Sequence, residues 1–125
     1  MSTLPTEYLE GIELFNQEKY FEAHEIWEGV WLRSSDPTRI FYQALIQSAG
    51  ALLHLRNGNR KGALSLFEAS LDKFSRVPQE FLGLQVQEFS RRLFILLTDL
   101  RGLRPNQPVR LHPEKIPRIA VTVAR

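Results

Sequence analysis

Two histidines and a glutamate stand where the surrounding pattern calls for apolar side chains. On a helical wheel with Tyr20 at zero and about 100° per residue, Ile26, Val30, Ala23, Trp27 and Trp31 fill an arc from about 240° through zero to 20°. Phe21 and Leu32 fall near 100° and 120°, and His24 near 40° and Glu28 near 80° lie in the gap between Trp31 and Phe21. Four residues apart, His24 and Glu28 are neighbours on one helix face. A carboxylate inside an apolar arc must be paired to be buried, and His24 is the expected partner. Glu25 sits just beyond the arc, and Glu22 faces solvent. An imidazole held by a carboxylate at one nitrogen offers the other as a general base, a hydrogen-bond partner or a metal ligand.

A second helix further along the chain repeats the anomaly. Between Thr38 and Arg56 it is apolar on nearly every side, which marks it as central to a bundle. Its one sizeable non-apolar stripe is Gln43, Gln47, Gly50 and His54, and it carries no Lys or Glu. Such a stripe suits a polar seam between helices, with Gly50 permitting close approach. The expected cluster is His24, Glu28, Gln47 and His54, with Glu25 nearby. Three chemistries fit it. One is a buried hydrogen-bond network that fixes helix register. Another is a divalent metal held by His24, Glu28 and His54, as facing helices of bundles do, although neither Glu-x-x-His nor His-Glu-x-x-His is present. The last is a metal-free acid–base or small-ligand site. Trp27 and Trp31, with Gln43, could line a pocket, but tryptophans at helical spacing are more often core.

The elements that must position these residues are helices. Thr6 is the expected cap of a first helix, and Gln17-Glu18-Lys19 reads as a tight connection to a second one running from Tyr20 to about Arg33. Ser34-Ser35-Asp36-Pro37 breaks the pattern, with Asp36 as cap and Pro37 at the first helical position of the third helix. Asn57-Gly58-Asn59 supplies a terminating glycine and a new cap for a fourth helix over Arg60–Phe74. Residues 79–84 are ambiguous because Gly83 interrupts a helical pattern, and a last helix covers about Gln85–Arg101. The expected architecture is an all-α, single-domain up-and-down bundle of about five helices over residues 1–103.

Residues 104–125 differ in kind. Pro105, Pro108, Pro113 and Pro117 forbid a helix, and Ile116–Val123 alternates weakly like an edge strand. Val109, Leu111, Ile116, Ile119, Val121 and Val123 are too apolar for a free tail, so this arm is expected to pack along its own fold or a neighbour's. It is also basic, with Arg101, Arg104, Arg110, Lys115, Arg118 and Arg125 against Glu114 in the last 25 residues. The first 30 residues, by contrast, hold seven Glu and one Lys. Opposite charge at the two ends, and an apolar arm with no evident seat on the bundle, make a homodimer the expected assembly. A net charge of +2 and the lack of interleaved aromatic and basic residues argue against nucleic acid. The absence of cysteine removes thiol catalysis, Cys-ligated metals and disulfides. No apolar run reaches the ~20 residues of a membrane span, and no secretory signal opens the chain. A cytoplasmic protein is expected. Arg56, Arg60 and Lys61 lack a phosphate-loop context, and Arg91-Arg92 reads as a solvated face.

Phe15-Asn16, Tyr20-Phe21-Glu22-Ala23-His24-Glu25-Ile26-Trp27-Glu28 and Trp31 resemble the signature of a prokaryotic family known as domain of unknown function 309. Phe41-Tyr42-Gln43-Ala44-Leu45-Ile46-Gln47, His54, Gly58-Asn59 and Gly62-Ala63 resemble its second motif, so the resemblance spans about residues 8–100. It implies a small all-helical protein, a connector at Phe81–Leu84 and no established activity or cofactor. The functional expectation is therefore a non-enzymatic interaction or scaffold module that self-associates and needs no cofactor. The alternative is a small metal- or ligand-binding protein, or an enzyme, built on the His/Glu/Gln seam. A pocket open to both His24 and His54 favours the alternative, and a sealed core favours the module.

Overall fold

The computed structural model describes residues 4–122. Five helices follow in order: α1 (Thr6–Asn16), α2 (Tyr20–Leu32), α3 (Thr38–Arg56), α4 (Arg60–Phe74) and α5 (Val86–Arg101). Short connections force each helix to run back along its predecessor, giving the all-α bundle. α3 is the central helix and packs against both α2 and α4. Its small residues Ala44, Ser48 and Ala51 are fully buried, and the Ser48 hydroxyl donates to the Ala44 carbonyl within the helix.

Rings from several elements interlock in the core. Phe15 of α1 meets Tyr20 and Trp27 of α2 at centroid distances of 5.3 and 5.9 Å. It also meets Phe89 of α5 at 6.0 Å, which closes the bundle. Tyr8, Tyr42, Phe41 and Phe74 extend the cluster edge to face, the arrangement the ring quadrupole favours.

The expected helix starts differ in detail. Thr6 is already helical and Pro5 takes the cap position without a side-chain bond. Pro37, not Asp36, precedes α3, and the Asp36 side chain caps nothing there; the Asp36–Pro37 peptide is cis. Asn59 does cap α4, its Oδ1 accepting from Gly62 N–H at 3.0 Å, and Gly58 at φ +75° turns the chain. The ambiguous stretch is a two-residue hairpin: β1 (Glu80–Phe81) pairs antiparallel with β2 (Leu84–Gln85). Leu82 and Gly83 both have positive φ, 46° and 77°, the backbone that suits the strand twist in so tight a turn.

The arm from residue 104 folds back on its own bundle. Pro117 and Ile119 are buried, Val109, Leu111 and Val121 are partly buried against the core, and Ile116 is half-buried. Two ties hold its end. The Asn16 amide donates to the Ile119 carbonyl at 2.9 Å and accepts from the Ile119 N–H at 2.8 Å, as a neighbouring strand would. Thr122 N–H donates to the Gly83 carbonyl at 2.8 Å, and Val121 bridges Leu84 antiparallel. Val123 and Arg125 lie outside the described residues. An arm without a seat was one of the two grounds for the expected dimer, and here the arm has a seat. Among the described residues no helix is long and apolar enough to cross a membrane.

Candidate functional site

His24, Gln47, Gly50 and His54 converge on one cleft of about 240 Å³ between α2, α3 and α4. Tyr20, Phe21, Ile46, Leu53 and Leu66 complete its mostly apolar wall. Helical spacing explains the polar members. Gln47, Gly50 and His54 repeat at three and four residues along α3, and Tyr20 and His24 are one turn apart on α2. Gly50 faces α4 rather than α2: a Cβ there would stand 2.9 Å from Leu66 Cδ1. Gly62 plays the same part for His54, whose ring lies where that glycine's side chain would be.

His24 Nε2 lies 3.2 Å from Glu28 Oε2, an ion-pair contact one helical turn along α2. The Nδ1 of His24 is buried and has no partner among the described residues. Asn59 Oδ1 is already engaged as a helix cap, so its Nδ2 faces His54 and donates to Nδ1 at 3.1 Å. His54 therefore keeps its proton on Nε2. Gln47 Oε1 is a buried acceptor without a partner, and the Tyr20 hydroxyl is also unpartnered. Phe21 stacks on His24 with centroids 6.2 Å apart.

Several expected members stand elsewhere. Glu28 is not buried: its side chain is 49% exposed, and His24 is 34% exposed. The wheel treated Phe21 and Leu32 as core, but they are 54% and 64% exposed, so the true apolar arc ends near Trp31 and Glu28 lies on its open side. Glu25 is exposed and does not line the cleft. Trp27 is fully buried over Gly11, its indole N–H donating to the Tyr8 carbonyl at 3.4 Å. Trp31 is half-buried beneath the Arg39 guanidinium, 4.2 Å from the ring centroid. Gln43 is half-buried and, like the two tryptophans, lies outside the cleft wall. Among the described residues no three His, Asp or Glu side chains gather closely enough to hold a metal ion, so His24, Glu28 and His54 form no chelate. Phe21 and Leu66 are cleft residues the sequence reading missed. Phe21 was legible as an apolar neighbour of His24, but Leu66 comes from a helix with no polar signal.

Taken together, fold and site define a small five-helix bundle with a mostly apolar, histidine-flanked cleft on its central helix. Residues 8–66 match the family described as Domain of unknown function (DUF309), which supports the resemblance carried by the YFEAHEIWE segment. The match takes in α1 to α3 and the first half of α4, the elements that build the cleft. A comparison with curated proteins returned no match.

Proposed function

We propose that the chain binds a small, largely apolar molecule carrying a hydroxyl or amine, seated in the His24/Gln47/His54 cleft. The observation that carries this reading is the pair of unpartnered polar atoms, His24 Nδ1 and Gln47 Oε1, buried in the wall of an otherwise apolar cleft. Buried polar atoms are nearly always hydrogen-bonded, and a ligand donor would satisfy one of them. His54 Nε2–H would meet the ligand's own acceptor. The Glu28 carboxylate contacts the His24 ring from outside the cleft and makes no contact with the ligand. The seating of the arm on its own bundle removes one ground for self-association, and the opposite charge of the two ends is the other.

Phenol is the simplest probe, because one hydroxyl on a flat apolar body matches both features. Followed by histidine ring-proton NMR, phenol should shift the His24 and His54 signals saturably, and benzene should do so more weakly. Gln47→Leu should weaken phenol binding roughly tenfold, the worth of one hydrogen bond, without lowering the melting temperature. Equal binding of benzene and phenol, or no saturable shift at His24 and His54, would overturn the reading.

A further inference from the structure

The arm builds a second cleft. Where it crosses the C-terminal ends of α3 and α5 it encloses about 430 Å³, with no lining residue in common with the His24 cleft. Its floor is aliphatic: Leu55, Leu96, Leu100, Leu103 and Val109. No aromatic ring other than His112 lines it. Its rim is cationic. Lys115 and Asp99 neutralise one another across the mouth at 2.7 Å, tying arm to α5. Arg110 also lines the cleft and has no ion-pair partner among the described residues. Arg104 and Arg118 add positive charge along the same stretch against Glu114, whereas Arg101 is paired with Glu68 of α4 at 3.0 Å.

We infer that this cleft is a binding site for an aliphatic carboxylate, its alkyl chain on the leucine floor and its carboxylate at Arg110. Each half of that ligand answers one half of the lining. Alkyl burial supplies most of the affinity, in proportion to the area removed from water. The guanidinium supplies a planar fork that matches a carboxylate and excludes a cationic head. Since the arm forms one wall, an occupant would also fasten the arm to α5.

The chain's three histidines make the test clean, because His112 lines this cleft whereas His24 and His54 line the other. Decanoate, titrated below its micellar range into the full-length protein, should shift the His112 ring signals saturably and leave His24 and His54 in place. Decyltrimethylammonium should bind far more weakly, and decanol weaker than decanoate. Arg110→Gln should reduce decanoate affinity about tenfold or more while the melting temperature holds, since the side chain is exposed and unpaired. Val109→Asp, which places a negative charge on the floor, should abolish binding in a protein whose helix content confirms that it is folded. Equal binding of the cationic and anionic amphiphiles, an unaltered affinity in Arg110→Gln, or the absence of a saturable His112 shift would each overturn the inference.

Discussion

His24 and Trp27 stand three positions apart on α2, yet one lines a cleft and the other plugs the core. Trp27 owes its place to Gly11: a Cβ at that position would come within 2.0 Å of the indole nitrogen. Gly11→Ala is therefore expected to cost about 1–3 kcal/mol or more by overpacking. A lowered denaturant midpoint with a red-shifted tryptophan emission would show it. The pair on the open side of the helix behaves differently. An ion pair with side chains 34% and 49% exposed contributes little, about 0–1 kcal/mol, because water screens it. Glu28→Ala should thus shift the melting temperature only slightly, and a loss of several kcal/mol would contradict the surface placement of Glu28. What Glu28→Ala should change is the setting of the His24 ring, visible in the chemical shifts of its ring protons. The sequence exposed the His24–Glu28 partnership through its spacing. It could not show that Glu28 faces water, because nothing in a wheel distinguishes an exposed Phe21 or Leu32 from a buried one.

The helices themselves were legible from apolar periodicity and from Pro37, Gly58 and Asn59. The hairpin was not, because Phe81-Leu82-Gly83-Leu84 lacks an Asn-Gly or Asp-Gly turn, and Leu82 is an unusual choice at positive φ. Gly83 is required twice there: its φ is +77°, and a Cβ would lie 2.4 Å from the Thr122 carbonyl oxygen. Gly83→Ala is expected to cost about 1–3 kcal/mol and to detach the arm's end. Faster hydrogen exchange at Thr122 and Ile119, with α1 to α4 still protected, is the measurement. Gly50 presents the opposite case. Its replacement by Ala gains about 1 kcal/mol of helix propensity and crowds the flexible tip of Leu66. Stability should change by less than about 1 kcal/mol, while displacement of Leu66 into the cleft should weaken phenol binding.

At the scale of the whole molecule, all three tyrosines are buried, so the fold and their ionisation are linked. Burial is the main cause that pushes Tyr20 up to about 12, with Glu18 adding and Arg56 opposing. It likewise pushes Tyr42 up to about 12, with Glu7 adding and Arg33 opposing, and it raises Tyr8 further still. The folded values lie above the ordinary value of 10.0, so the neutral phenols contribute stability that is fully present below that pH and is lost as pH rises through about 12. Tyrosinate absorbance should therefore stay low past pH 10.0 and rise together with the loss of helix, rather than before it. Removal of residues 104–125 should lower stability as well, since it uncovers the core beneath Pro117 and Ile119 and leaves the Asn16 amide unpaired. By itself the sequence determined the five helices, their short antiparallel connections and the convergence of His24, Gln47 and His54, because periodicity and turn chemistry are local properties. Only the tertiary structure decided that Glu28 faces solvent, that Leu66 closes the cleft, and that Asn16 receives an arm more than a hundred residues away. Those outcomes depend on which surfaces meet, and a contact between distant segments leaves no period in either of them.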